Sequence, residues 1–412
     1  MKNIIVRGPA LSNSGYGEQT RFALRALREN QDKYDIYLIN TGWGATSWLV
    51  EDNEERAWID SLLQKTIAYT QAGGGFDLSL QVTIPGEFER LAPYNVGYTA
   101  GIETTKMSAE WLQKTHLVDK IIVPSNHSKN VMQTSNWAFQ DPRTGQQGVL
   151  RCEKPVEAVS FPVKDIEPEE LDLKLKTKFN FITVAQWGPR KNLNACVEWF
   201  VEEFKDDADV GLVVKTQVTK NCLLDRQTCA MRMRQLLAKF PDMKCKVYLL
   251  HGGLTEGQLT SLYQNDTVKA IVTTTHGEGF GLPLFEAAYN GLPVVATNWS
   301  SYLDFLKMPS KDKKSGKEKQ KSMFLKVDYK LNNIPPEHVW QNVIIAESQW
   351  AFPEKGSYKK AIRKVYKDHG VYKSQAKKLQ KYLIEEFSPD NQHERFIKAL
   401  GYEAQEEVKV FV

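Results

Sequence analysis

Short runs rich in β-branched and aromatic residues alternate with longer helical patterns, and the alternation occurs twice along the chain. Strands joined through helices cannot close tight hairpins, so they run parallel and bury both faces of their sheet. The spacing predicts strands over 3–6, 35–39, 77–81, 96–99 and 120–123, with helices over 16–29, 108–117 and 125–132. A second series predicts strands over 180–185, 210–215, 246–250, 268–273 and 293–296, with helices over 193–204, 224–240, 255–263 and 283–290. Turn and polar residues over 140–148 predict an exposed loop, and the charged, Pro-containing stretch 164–170 predicts a linker. The expected fold class is α/β, with two doubly wound Rossmann-like domains over 1–165 and 172–384. Facing each other, they would place the C-terminal ends of both sheets along one cleft, where such folds bind ligands.

Several classes are excluded early. With 42% apolar and 25% charged positions the chain has the composition of a folded globular protein. Its longest apolar runs fall far short of the ~18 residues of a spanning helix, so no transmembrane segment is expected. Residues 1–8 are apolar for only three positions before Arg7, which reads as a first strand and not as a signal peptide; a cytoplasmic location follows as an expectation. Five cysteines without a CxxC pair argue against a disulfide framework and a zinc site. Seven lysines lie within 307–321, read here as a mobile charged loop before a strand over 322–327, and ten basic residues lie within 353–381.

The most informative stretch is His276-Gly277-Glu278-Gly279-Phe280-Gly281-Leu282-Pro283-Leu284-Phe285-Glu286, with Gly291-Leu292-Pro293-Val294-Val295-Ala296-Thr297 after it. A strand ends just before it, three glycines let backbone approach a ligand, and Pro283 suits the first turn of a helix. The exposed N–H groups of such a loop can hold diphosphate oxygens. Glu278 on the loop and Glu286, expected in the first helical turn, could both accept hydrogen bonds from the hydroxyls of one ligand. A second loop, Val184-Ala185-Gln186-Trp187-Gly188-Pro189-Arg190-Lys191-Asn192, sets an Arg-Lys pair at a helix entrance. Two fixed cations are what a departing diphosphate needs as negative charge gathers on it. Near the N-terminus, Ser12-Asn13-Ser14-Gly15-Tyr16-Gly17 joins the first strand to the first helix, but Thr20 stands where a dinucleotide fingerprint has its third glycine. Gly101-Ile102-Glu103-Thr104-Thr105 follows a strand and should open on the cleft. Lys215, at a strand end, would either reach the nucleotide or be solvated.

Glu-x7-Glu in the setting GEGFGLPLFEA, followed by GLPVVAT, resembles the donor-site signature of the family-4 glycosyltransferases, retaining enzymes of the GT-B architecture. The resemblance implies transfer of a sugar from a nucleoside diphosphate sugar to an acceptor hydroxyl, with no cofactor and no bound metal. It implies Arg190, Lys191, Glu278 and Glu103 as catalytic residues, and Gly15, Tyr16, Gly17, Lys215, His276, Gly279, Phe280, Gly281 and Glu286 as donor-binding ones. Glu278 would hold the transferred sugar and Glu286 the ribose. Glu103 stands where the family often has a histidine or an acid; hydrogen-bonding the sugar, orienting the acceptor and capping the next helix all remain open for it. The helical stretch 358–366 is similar to the family's closing segment, and the helix over 389–400 would cross back onto the first domain within a C-terminal segment 385–412.

Asp207-Ala208-Asp209 has the form of a DxD metal motif, but it lies in a helix-to-strand turn, on the edge away from the strand C-termini. Of the seven histidines only His276 sits in a motif. The acceptor stays open between a glycan, a lipid-linked glycan and a hydroxymethylated base in DNA, the last drawn by the basic segments 307–321 and 355–381. A nucleotide-sugar epimerase, a phosphorylase-like enzyme and a non-catalytic nucleotide-sugar or polyanion-binding module are the rival readings.

Overall fold

The computed structural model describes residues 1–140, 143, 145–311 and 316–401. The first domain runs β1 (Lys2–Gly8), α1 (Gly15–Arg28), β2 (Tyr34–Asn40), α2 (Glu54–Gln71), β3 (Leu78–Val82), β4 (Tyr94–Tyr98), α3 (Ala109–Lys114), β5 (Lys120–Val123), α4 (Asn126–Thr134), β6 (Asn136–Gln140), β7 (Gln147–Arg151) and β8 (Val156–Ala158). The second runs β9 (Phe179–Val184), α5 (Leu193–Phe204), β10 (Val210–Lys215), α6 (Leu223–Leu237), β11 (Lys246–Leu250), α7 (Glu256–Gln264), β12 (Val268–Val272), α8 (Leu282–Tyr289) and β13 (Val294–Thr297). There follow β14 (Lys307–Lys311), β15 (Glu318–Ser322), β16 (Leu325–Val327), β17 (Tyr329–Asn333), β18 (Gln349–Pro353), α9 (Lys355–Lys367), α10 (His369–Glu386) and α11 (Pro389–Leu400).

Each domain holds a parallel six-stranded sheet, ordered β2-β1-β3-β4-β5-β8 in the first and β11-β10-β9-β12-β13-β16 in the second. Strand order reverses between β1 and β3 in one sheet and between β9 and β12 in the other. At such a point the loops leaving neighbouring strands diverge and open a crevice at their carboxyl ends. In the second sheet those loops are 185–192 and 273–281, the two richest in motif residues.

Two expectations are corrected. The basic segment 307–321 is not a loop: β14 and β15 pair antiparallel from Lys307 opposite Ser322 to Lys311 opposite Glu318, while 312–315 lie outside the described residues. The strand expected over 322–327 is only Leu325–Val327, because Ser322 already closes that hairpin. Around 140–148, β6 and β7 pair antiparallel from Asn136 opposite Arg151 to Gln140 opposite Gln147, while 141, 142 and 144 lie outside the described residues. The C-terminal helix crosses back: Phe396 of α11 meets Phe22 of α1 and Tyr98 of β4, each at 5.3 Å between ring centroids. Residues 402–412 of the segment expected to cross lie outside the described residues.

The domains touch. Phe161 packs on Phe280 at 4.9 Å, joining both halves in one apolar cluster. The Asp304 carboxylate accepts the Asn126 N–H at 2.6 Å, and Ser125 Oγ donates to the Gly279 carbonyl at 3.1 Å. A Cβ on Gly279 would stand 1.8 Å from the Ala100 carbonyl oxygen, and one on Gly277 2.2 Å from that of Glu103. Here glycine is required by close approach. Gly279→Ala should therefore hold the cleft open while each domain stays folded, seen as a larger radius of gyration in small-angle scattering with far-UV circular dichroism unchanged. An unchanged radius would show that the loop can slide clear.

Candidate active site

A run of alternating charges crosses the crevice. Lys191 Nζ lies 2.6 Å from both oxygens of Glu278, Arg190 is 3.2 Å from the same carboxylate, and Arg190 Nε is 2.8 Å from Glu103 of the first domain. The loop that presents the cations is a single 3-10 turn, Pro189–Lys191, ended by Asn192 in the left-handed region (φ 50°). The Arg190 carbonyl accepts the His276 N–H at 2.8 Å, which pins one loop to the other. Burial pushes the Glu278 carboxyl up, but Lys191 and Arg190 pull harder and hold it down at about 2. Burial raises Glu103 despite Arg190 beside it, and burial lowers Lys191.

Gly281 enters α8 with φ 96° and no side-chain cap. Pro283 has no N–H, and the Leu284 and Phe285 N–H groups donate to the Gly281 carbonyl at 3.0 and 3.1 Å, so Leu282 carries the N–H that opens the helix. The Glu278 backbone is clamped by Ser300, whose Oγ accepts the Glu278 N–H at 2.8 Å, and by Ser301, whose Oγ donates to the Glu278 carbonyl at 2.7 Å. Ser300 itself has φ 96°, a strained conformation for a residue with a Cβ, of the kind found at functional sites. At the first domain's facing loop, Ser14 caps α1 and Gly17 sits where a Cβ would meet the Ser12 carbonyl at 1.9 Å; Gly15 faces open space.

Glu286 lies beyond the first turn of α8, which carries no acid, and so departs from the expected position. It accepts a hydrogen bond from Tyr263 at 3.2 Å. Burial raises its carboxyl to about 7, against the pull of Lys164 and Tyr263. Lys164 is not a solvated linker residue: it bridges Glu18 of α1 at 2.8 Å and Glu256 of α7, tying the two domains beside Glu286.

Three expected donor-binding side chains face inward. Tyr16 donates to or accepts from Thr99 at 2.9 Å and lies under Trp43, with ring centroids 4.0 Å apart. His276 stacks on Trp350 at 5.3 Å, with Nδ1 on the Ala351 carbonyl at 2.9 Å. Phe280 is packed among Phe161, Phe285 and Phe305. Each of the three side chains is buried against neighbours of its own chain. Lys215 is half-buried and donates to the Gly252 carbonyl, so it is neither solvated nor free. The Asp207-Ala208-Asp209 turn precedes β10 at its N-terminal end, away from both motif loops.

Other residues escaped sequence reasoning. His127 of α4 meets Trp299 edge-on at 4.8 Å beside Thr104; burial takes it down to about 4, so its ring is neutral. Asp225, Cys229 and His251 form the one group of metal-ligand type among the described residues. Both Asp225 oxygens are already engaged, by the N–H groups of Val218 at 2.9 Å, Thr219 at 2.6 Å and Lys220 at 3.0 Å and by His251 at 2.8 Å. A cation there would meet the positive ends of three N–H dipoles, so the cluster is a clamp for loop 218–220. That loop in turn holds the cation loop, through the Gln217 carbonyl on the Trp187 N–H at 2.8 Å and the Val218 carbonyl on Gln186 at 2.7 Å.

Residues 172–314 match the family model of glycosyl transferases group 1. In solved structures the fold is similar to Anabaena HepE in complex with UDP-glucose, with TM-score 0.61, 11% identity and coverage of 97% of this chain and 100% of that one. It is similar also to sucrose-phosphate synthase from Thermosynechococcus elongatus, with TM-score 0.59, 13% identity and coverage of 97% and 98%. For S. aureus TarM the TM-score is 0.49 at 14% identity; the match covers 79% of this chain and only 55% of that one. No curated protein sequence matches the chain. The chain thus carries a glycosyl transferases group 1 domain on the GT-B frame of two Rossmann-like domains facing across a cleft.

The buried Glu286 carboxyl makes stability depend on pH. A carboxyl raised in the folded protein contributes stability that is complete below its unfolded value of 4.5 and is lost as pH rises through about 7. Wild-type protein should lose on the order of 2–3 kcal/mol from this group between pH 5 and 8, and Glu286→Gln should remove that slope. Urea midpoints at both pH values measure it; parallel slopes for the two proteins would show that Glu286 ionises normally.

Proposed function

We propose that the chain transfers a sugar from a nucleoside diphosphate donor to an acceptor hydroxyl, with retention at the anomeric carbon. The observation that carries this is the placement of Arg190, Lys191 and Glu278 on the two loops that flank the β9/β12 crossover, beside the open N-terminus of α8. HepE, of similar fold, has been solved with UDP-glucose, which supports a nucleotide sugar as donor.

In this reading the diphosphate lies at the entrance of α8, by the Gly281 and Leu282 N–H groups and between Arg190 and Lys191, with the N-terminus of α1 around Gly15 and Gly17 facing it from the first domain. It takes the place of Glu278 on the cations, so donor binding exchanges one anion for another. Glu278, released, accepts hydrogen bonds from the sugar hydroxyls, and Glu286, backed by Tyr263, accepts from the ribose. The bond from the anomeric carbon to the diphosphate oxygen breaks through an oxocarbenium-like transition state while the acceptor oxygen arrives on the same face. The acceptor proton passes to the leaving diphosphate, whose charge Arg190 and Lys191 stabilise. Glu103, on the first-domain side of Arg190, orients the acceptor. Lys215 acts at one remove, by holding the Gly252 turn. No metal enters this scheme, since two fixed cations occupy the place of one.

A glycan, free or lipid-linked, is the first acceptor reading, and a cytoplasmic location goes with it. A base in DNA is the second, favoured by β14–β15, whose lysines follow directly on the Asp304 contact with α4 at the edge of the cleft. No helix among the described residues is long and apolar enough to cross a membrane.

Lys191→Ala should lower turnover by roughly 10²–10³, the usual scale for losing one preorganised charge stabiliser, and leave the fold intact. Release of nucleoside diphosphate from a panel of nucleotide sugars, with and without acceptor and with a chelator present, reads this out. Near-normal turnover in the variant would remove Lys191 from the mechanism, loss of wild-type activity on chelation would demand a metal, and conversion of the donor without diphosphate release would favour the epimerase reading.

A further inference from the structure

We infer that the outer face of α9 is a docking surface for nucleic acid, distinct from the cleft. Its six cations are arranged in two rows along one helix. Lys355, Lys359, Arg363 and Lys367 recur every four residues, about 6 Å apart, and Lys360 and Lys364 form a second row beside them. Tyr358, Ala361, Ile362 and Val365 are buried and fix the rotation of the helix, which turns both rows outward over a groove of about 760 Å³.

The two rows differ in their partners. Lys355 and Lys359 meet Glu202, and Arg363 is held at 2.6 Å by Glu203, both acids lying at the end of α5. Lys360, Lys364 and Lys367 are exposed, and no acidic residue pairs with them among the described residues. The first row is therefore braced as far as Arg363, while its last member, Lys367, is free like the second row. α9 contains no acidic residue at all, so every i,i+4 neighbour among its charges is a like charge, each pair costing the helix about 0.2–0.5 kcal/mol. Lys355 adds a further cost at the positive end of the helix dipole, and only Lys364 and Lys367 gain from the other end. Neither packing nor helix propensity calls for this pattern; glutamate at 360, facing Lys364 one turn on, would serve the fold better.

A partner with regularly repeated negative charge repays that cost. A row of cations at helical spacing meets a sugar-phosphate backbone, and attraction of this kind is sequence-independent and acts through counterion release. An anionic membrane is the competing surface. Against it, no aromatic or large apolar side chain stands on the exposed face of α9 to enter the lipid, as interfacial helices require. The surface also lies apart from the chemistry: α5 starts just after Lys191 and carries Glu202 and Glu203 at its far end, roughly 15–18 Å along the helix. It would hold a polymer against the enzyme and take no part in the transfer. This inference goes beyond the proposed reaction and does not depend on it.

The test compares wild-type protein with the triple variant Lys360→Gln, Lys364→Gln, Lys367→Gln and its arginine counterpart. Binding to a mixed-sequence DNA duplex is measured by fluorescence anisotropy between about 50 and about 200 mM salt. The wild type should bind with a steep salt dependence, and the glutamine variant should lose at least about tenfold at low salt and flatten the slope by about 2–3 units. The arginine variant should restore both, while donor hydrolysis stays unchanged in all three. An equal slope in wild type and glutamine variant, no DNA binding by the wild type, or binding to phosphatidylserine vesicles in preference to DNA would each overturn the inference. A failure of donor hydrolysis in all three proteins would instead count against the proposed transfer.

Discussion

Everything at the domain boundary turns on the Glu278 carboxylate, held between Lys191 and Arg190, with Glu103 reaching Arg190 from the other domain. Charges taken out of water at such a place are expensive, and well-packed apolar residues of the same volume often give equal or greater stability. The run is therefore a poor device for holding domains together. It is a good one for keeping two cations desolvated, oriented and ready for an anion. Removing one member unbalances the charge of the rest, so the four residues set one another's electrostatics as a unit. The clamp from Asp225 through loop 218–220 to Trp187 shows how much structure is spent on keeping the cation loop still.

The same boundary is shaped by missing side chains. Gly277 and Gly279 let the motif loop lie directly on the carbonyls of Glu103 and Ala100, so closure brings backbone against backbone. The glycines in this loop therefore do two things. Gly281 turns the chain into α8 with a positive φ, and the other two decide how near the first domain can come. Since Glu103 and Ala100 share one loop, the approach that seats Gly279 is also the one that brings the Glu103 carboxylate to Arg190.

Most of the sheet is legible because parallel strands read as apolar runs, and the buried β5 and β10 and the half-buried edge strand β11 match the expected bounds residue for residue. α2 is not, since its buried residues reduce to Ile59, Leu62 and Thr66 on an otherwise polar helix, too thin a stripe to announce a period of 3.6. α10 hides in the same way behind Ala376, Leu379 and Leu383. β14–β15 reads as a loop because lysine, serine and proline are poor strand formers; its pairing rests on backbone hydrogen bonds with little burial. In the site, loops carrying glycine and charge at strand ends were readable. Residues that arrive from elsewhere were not: Lys164, Tyr263, His127 and Ser300 reach the cleft through topology, which no local spacing encodes.

The two groups of cations in the second domain follow opposite rules. Arg190 and Lys191 each have a carboxylate in place, so a ligand gains there only by matching the geometry of what it displaces, which favours one shape of anion over others. Lys360, Lys364 and Lys367 have no such competitor and stand in water, where a single charge contact is worth little and depends on salt. Selectivity is thus available at the cleft and not on α9, while reach is available on α9 and not in the cleft. Because α5 runs from the cation loop at one end to Glu202 and Glu203 at the other, a single rigid element fixes the distance between them. A polymer held at the outer face would raise the local concentration of its own groups near the cleft without altering the geometry there, so any gain should appear in acceptor KM and leave kcat untouched.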